Sequence, residues 1–282
     1  MSNGEDIMAT GEVKLICKDN PNAKVAFGSP ETFNKNSGEK SKFYWSDIFE
    51  NNPNILQPGE TPEELIISEN FPTSRPFINY AKTRYNETNQ QKTSPYKIAY
   101  NSEYEATRGE LFFSEDEIEA AQELIQGLDT PMIFLNPYAD IANKHWLEER
   151  WHDLIKKSSY HFAQLTYDSQ QRSLNDVAHV KAKSFRQACA VLSVGIEHSV
   201  LLGVDSHLHH AAAAVNLPSI VLWSHYSHPD NLGYSDHINI RWDAAGNPCG
   251  LRDACIQCKK SMEMIKVDDV ILAIEMALKN TP

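Results

Sequence analysis

The sequence predicts an α/β protein with parallel sheets, and three observations carry that prediction. From about residue 115 onward, short apolar stretches of strand length alternate with stretches of helical period. Helix start signals recur between them, as at Ser114-x-x-Glu117 and at Ser184. Hydrophobic residues make up 41% of the 282, enough for a sizeable core.

The elements follow in order. A capping box at Ser114 opens a helix to about Gln126, and Gly127 ends it. Pro131 to Leu135 is a short apolar strand. Leu147 to Lys157 is an amphipathic helix with Trp151, Leu154 and Ile155 on one face. His161 to Tyr167 is a second strand. Ser184 caps a helix to about Val194, and Val200 to Val204 is a third strand. His207 to Val215 is a small, Ala-rich helix, Ser219 to Trp223 a fourth strand, and Val267 to Lys279 a C-terminal helix. Such alternation implies βαβ units in a doubly wound sheet.

Residues 1 to about 108 differ in texture, being rich in Asn, Lys, Ser, Thr and Pro. Thr10 to Lys18 reads as a helix and Lys24 to Phe27 as a strand. Asn86 to Ser94 reads as an exposed loop. Helix therefore precedes strand, whereas a doubly wound domain normally opens with a strand. We divide the chain into a reduced N-terminal domain, 1–127, and a C-terminal domain, 128–282.

The formal net charge of −12 argues against a nucleic-acid partner, which wants a basic face. No apolar run is long enough for a transmembrane helix, and the polar start lacks a secretory signal. A cytoplasmic location is the default expectation, and peripheral contact with a membrane stays open. Five cysteines in such a chain do not suggest a disulfide framework. Cys249-x5-Cys255-x2-Cys258 is not a paired Cys-x-x-Cys motif, so no structural metal is expected there, although the three thiols can lie close together. Cys17 and Cys189 read as core thiols. The absence of GxGxxG, P-loop and HExxH patterns disfavours dinucleotide dehydrogenases and nucleotide triphosphatases.

Three segments can carry chemistry. At Gly203-Val204-Asp205-Ser206-His207-Leu208-His209-His210, a buried strand runs through a polar turn into a helix of small residues. Free N–H groups at that helix start suit phosphate. The same residues also suit a plain capped helix with surface histidines. At Asn136-Pro137-Tyr138-Ala139-Asp140 through Lys144, a strand ends and a loop carries a lysine to a helix start. Lys144 is either a phosphate cation or a solvated charge. At Gly4-Glu5-Asp6, a carboxylate before a helix is either a general base or a partner of the helix dipole.

Together these segments resemble glycosyltransferase family nine, the ADP-heptose:lipopolysaccharide heptosyltransferases. Gly4 to Thr10 resembles the family's Gly-Asp turn, with Asp6 on its Asp. Asn20-Pro21-Asn22-Ala23-Lys24-Val25 resembles the approach to its second strand. Lys144-His145-Trp146-Leu147-Glu148-Glu149-Arg150-Trp151 resembles its Lys-x-Trp helix start. Gly203-Val204-Asp205-Ser206 with His210 resembles its phosphate-turn signature. Pro229 to Tyr234 falls where the family has a short loop. The sequence departs at His207 and Tyr138, where the family has Gly, and at Gly11, where it has Pro.

The resemblance implies a GT-B fold: two facing Rossmann-like domains with parallel sheets, the N-terminal one reduced here. It implies inverting, metal-independent transfer of a sugar, such as heptose, from a nucleotide diphosphate-sugar to a glycan or lipopolysaccharide-like hydroxyl acceptor, with no cofactor. Asp6 would be the catalytic base. Lys144, Asp205, Ser206, His207, Leu208 and His210 would bind the donor, with Thr10, Asn136 and Tyr138 as further contacts. A non-catalytic binder of nucleotide-sugars or glycans and an epimerase or hydrolase on the same architecture are the competing readings.

Overall fold

A computed structural model describes residues 2–28, 43–71, 74–83, 97–168, 171–195, 199–242, 246 and 248–279. The loop expected at Asn86 to Ser94 lies outside the described residues. The chain opens with helix α1 (Asn3–Asp19), which starts seven residues earlier than expected because Ser2 and Glu5 form a reciprocal capping box. Strand β1 (Ala23–Phe27) pairs in parallel with β2 (Glu64–Ser68), a strand the sequence reading left out. Helix first, then strand, is the observed order, and β1 and β2 make a two-stranded sheet.

Helix α2 (Glu115–Ile125) carries the predicted Ser114–Glu117 capping box. A six-stranded sheet follows: β3 (Met132–Asn136), β4 (His161–Thr166), β5 (Ala178–Lys181), β6 (Val200–Val204), β7 (Ser219–Trp223) and β8 (Ile238–Arg241). Between and after these strands run α3 (Glu148–Lys157), α4 (Phe185–Val194), α5 (His207–Ala214), the single turn α6 (Pro229–Leu232), α7 (Ile256–Met264) and α8 (Val267–Lys279). Every pairing is parallel, in the order β5-β4-β3-β6-β7-β8. Renumbered within the domain, this is the doubly wound order 3-2-1-4-5-6, whose switch point lies between β3 and β6.

Side-chain alternation along the strands divides the core in two. Met132 and Phe134 of β3 face one way with Leu201, Val221 and Trp223, under α2, α4 and α5. Ile133 and Leu135 face the other way with Val200, Leu202, Val204 and Ile220, under α3, α7 and α8. The first of these cores continues into the N-terminal part through Ile7, Val13, Val25, Phe27 and Phe49. Helix α1 lies directly on α5, and Gly4 makes this approach possible. A Cβ at Gly4 would sit 2.9 Å from His210 Cδ2 and 3.3 Å from His207 Cδ2.

Helix α2 packs on α4. Buried Arg186 of α4 reinforces that contact. Its guanidinium donates to Glu117 (Nε–Oε1 2.5 Å) and to the carbonyls of Phe112 (2.6 Å) and Asp47 (2.8 Å). Trp146 and Trp151 are buried under the sheet in an edge-to-face pair 4.9 Å apart, which makes them core residues. Among the described residues, no helix is long and apolar enough to cross a membrane.

Candidate functional site

The sheet's switch point is where α/β proteins of this order open a crevice, and a cavity of about 860 Å³ opens there. Its walls come from the loops after β3, β4, β6 and β7 and from the start of α1. The volume falls in the range of small-molecule sites.

Close packing of β3 and β6 builds the floor. Asn136 and Gly203 are register partners, and a Cβ on Gly203 would lie 2.9 Å from the Asn136 carbonyl oxygen. With no side chain there, Asn136 Nδ2 reaches across and donates to Ser206 Oγ. Ser206 N–H donates to His209 Nδ1 at 3.2 Å, which starts α5. The first N–H groups of a helix have no carbonyl partner within it, so the α5 start supplies backbone donors and the positive end of the dipole.

Lys144 ends a 3₁₀ turn, Ala142–Lys144, in the loop after β3. Its ammonium lies 2.8 Å from Asp205 Oδ2 and 5.0 Å from the centre of the Tyr226 ring. Asp205 is buried and also accepts from Ser227 Oγ. Burial alone would lift its carboxyl; the Lys144 ammonium, and then His209, outweigh this and hold it below the usual carboxylate range.

Burial works against the charged form of each histidine of α5. Burial, and then the neighbouring His209, push His210 well below the usual imidazole range; its Nδ1 lies 2.8 Å from the Tyr234 hydroxyl. Burial lowers His207 as well, against the pull of Asp140, whose Oδ2 stands 3.8 Å from His207 Nε2. The left-handed backbone that would have made His207 a poor replacement for Gly is not present: His207 is not among the positive-φ residues. Its side chain fills space between α1 and α5 and lines the cavity.

The structure thus brings Lys144, Asp205, Ser206, His207, His210 and Tyr138 to one cavity. Tyr138 presents its ring to the Arg172 guanidinium at 4.7 Å. Four expected residues are not on the wall. Asn136 acts from beneath, through Ser206. The Leu208 side chain is fully buried, so only its backbone faces the helix start. Thr10 is buried; its hydroxyl donates to the Ile7 carbonyl (2.7 Å) and accepts from Glu110 N–H (2.8 Å), tying α1 to the stretch that leads into α2.

Asp6, the expected base, is 2% exposed and absent from the wall. Its carboxylate accepts from Tyr44 (3.0 and 3.1 Å) and Ser46 (2.8 Å). Burial pushes its pKa up to about 6, against those two hydrogen bonds. The physical reason for the displacement is the early start of α1. Asp6 falls one turn inside a helix, where successive side chains diverge by about 100°, and the α1 carboxylate on the wall is the preceding Glu5. Glu5 Oε1 lies 3.0 Å from Arg75 Nε.

Sequence reasoning missed Glu5, Arg75, Arg172, Tyr226 and Ser227. The last two sit in the loop after β7, a strand the sequence did predict, so the rule that ligands gather at strand ends could have found them. Arg75 had no such signal.

A doubly wound parallel α/β architecture with a crevice at its switch point is what this order defines. The model of glycosyltransferase family 9 (heptosyltransferase) matches residues 83–259, more than half of the chain, and the chain belongs to that family. No curated protein sequence matches it. A family 9 glycosyltransferase from Veillonella parvula superposes with a TM-score of 0.59 at 14% identity, over 99% of this chain and 95% of that one. The ADP-heptose lipopolysaccharide heptosyltransferase II of Escherichia coli gives 0.46 at 20% identity, over 61% of this chain and 54% of that one. The iron-containing dodecameric glycosyltransferase TibC of enterotoxigenic E. coli gives 0.42 at 14% identity, over 54% and 46%. The chain thus spans about half the length of the two E. coli enzymes.

Proposed function

We propose that this protein transfers a sugar from a nucleotide diphosphate-sugar to a hydroxyl acceptor with inversion at the anomeric carbon. The observation that carries the reading is Lys144, paired with buried Asp205 beside the α5 N-terminus at the sheet's switch point. In the reaction the acceptor oxygen attacks the anomeric carbon as the bond to the β-phosphate breaks, and the nucleoside diphosphate leaves. Negative charge then grows on phosphate oxygens. The Lys144 ammonium and the backbone N–H groups of α5 meet that charge where it develops, which supports transfer without a divalent ion at the phosphates. Family membership supports the nucleotide-sugar donor; the E. coli relative's heptose and lipopolysaccharide are the matching candidates for donor sugar and acceptor.

The acceptor proton goes to Glu5, because a general base must first be within reach of the proton it takes, and Glu5 faces the cavity. Asp6 is the second reading, favoured by a pKa of about 6, near that of a working base. Glu5→Gln is expected to lower turnover by about 10²–10⁴-fold with donor affinity retained, as for other general bases. Asp6→Asn is expected to keep most of the turnover. Steady-state rates with a matched donor and acceptor check both; the reverse pattern assigns the base to Asp6. Donor hydrolysis or isomerisation at full rate without acceptor would instead favour a hydrolase or epimerase.

A further inference from the structure

Three thiols that line no part of the cavity converge beside it. Cys249 and Cys258 are buried and Cys255 is half-buried, and all three Sγ atoms lie within 4.8 Å of one another. Cys249 and Cys258 are 3.1 Å apart. Two different pieces of backbone deliver them. Cys249 lies on the stretch after β8, held by its own N–H to the His225 carbonyl (2.8 Å) and by Gly250 N–H to Tyr226 (3.1 Å). Cys255 and Cys258 are the N-cap and first turn of α7, where a spacing of three puts side chains on one face. Gly250 allows the chain to turn here: its φ is +56°, and the Ile98 backbone lies against it.

The residues packed around the thiols form a small cluster: Tyr226, Tyr100, Ile141 and Leu251. The stretch between β8 and α7 has no helix or strand of its own among the described residues. Thiolate ligands about 2.3 Å from a tetrahedral ion stand about 3.8 Å apart, a spacing within the observed spread. Thiolate softness selects zinc or ferrous iron over magnesium and calcium.

We propose that Cys249, Cys255 and Cys258 bind one thiophilic divalent ion, zinc or iron, which clamps this stretch to α7. The fourth tetrahedral position belongs to a ligand outside these three residues. Each thiol gives up its proton to solvent as the sulfur–metal bond forms, and no oxidation state changes. The clamp reaches the cavity through Asn143, the neighbour of Lys144. Its Nδ2 donates to the carbonyls of Leu251 and Asp253, both at 2.7 Å, and its Oδ1 accepts from Cys255 N–H at 3.0 Å. The ion is thus a brace for the turn that carries Lys144, and it stands whether or not the protein transfers sugar. It also reverses the expectation, drawn from a single Cys-x-x-Cys, of no structural metal.

Elemental analysis of the full chain, purified under reducing conditions without chelator, is expected to show about one zinc or iron per chain, and the same measurement says which. Cys255→Ser and Cys258→Ala should each lose it, while Cys17→Ser, on the remote α1, should keep it. Should the variants fail to fold, chelator-treated wild type titrated with Co²⁺ is expected to give the intense visible bands and sulfur-to-cobalt charge-transfer absorption of a tetrahedral thiolate site, abolished by Zn²⁺. Substoichiometric metal together with no thiolate–cobalt spectrum would overturn the proposal. So would a metal-free protein whose Cys249 and Cys258 are joined as a disulfide in intact-mass analysis.

Discussion

Lys144→Ala is expected to weaken binding of a nucleotide diphosphate-sugar by roughly 10- to 150-fold, the loss that follows from removing one charge-assisted contact of about 1.5–3 kcal/mol. The substitution also strands a charge. Asp205 is 3% exposed and paired with Lys144 at 2.8 Å. Breaking a buried pair from one side costs about 3–5 kcal/mol of stability. The pH dependence separates these effects. In the wild type the folded Asp205 carboxyl is held below its unfolded value. Its contribution is therefore fully present above the unfolded value and is lost as pH falls through the folded one. Without Lys144, burial acts with less opposition and raises the folded value. The variant's deficit should then be largest at neutral pH and shrink on acidification. Lys144→Ala with Asp205→Asn should recover stability and leave donor affinity low. Calorimetric titration and thermal unfolding of the three proteins check this. Unchanged donor affinity in Lys144→Ala would make the lysine a structural partner of Asp205 and nothing more.

Asp6→Asn is expected to stabilise the fold at neutral pH by up to about 3 kcal/mol. Burial raises Asp6 from 3.8 to about 6, and about two units at 1.36 kcal/mol each sets the ceiling. The sign follows from proton counting. Between the two values the folded state holds more protons than the unfolded one, so stability falls as pH rises through that window. Below it both states are protonated and the penalty vanishes; above it the penalty is complete. An amide at position 6 still accepts from Tyr44 and Ser46 through its oxygen but carries no charge to desolvate. The gain should therefore be seen at pH 7 and be absent near pH 3. Denaturant unfolding of both proteins across that range measures it. A variant that loses stability at pH 7 would show that the ionised Asp6 is stabilised by its two hydroxyl donors more than burial costs it.

Much of the C-terminal sheet was legible in the sequence, for reasons that differ from strand to strand. β3, β6 and β7 are buried on every residue and read as unbroken apolar runs between turn signals. β5 and β8 are the two edges of the sheet. Ala178–Lys181 exposes three of its four residues, and Ile238–Arg241 is only half-buried, so neither carries such a run. β2 escaped for the same reason. The α1 start was misread because Gly4-Glu5-Asp6 suggests a turn before the helix, while Gly11 falls inside the expected helix. In the fold the two glycines serve close contacts, Gly4 with His207 and His210 and Gly11 with the carbonyls of Thr107 and Arg108.

The site divides the same way. Lys144, Asp205 and Ser206 stand in βα loops, where strand ends and helix starts put ligand groups whatever else the chain does. The placing of Glu5 and Arg75 depends on how far a helix has turned by its third residue and on where the chain returns, and no local pattern encodes either. The outlying Cys249 joins the other two thiols through hydrogen bonds to the carbonyls of His225 and Tyr226, a long-range contact that cysteine spacing does not contain.

A diffraction structure of the protein with a nucleoside diphosphate tests the donor-site assignment most directly. The phosphates are expected at the N-terminus of α5, within hydrogen-bond distance of the backbone N–H groups of His207 and Leu208, with the Lys144 ammonium turned from Asp205 towards them. A nucleotide whose phosphates lie elsewhere, with the Lys144–Asp205 pair undisturbed, would contradict it.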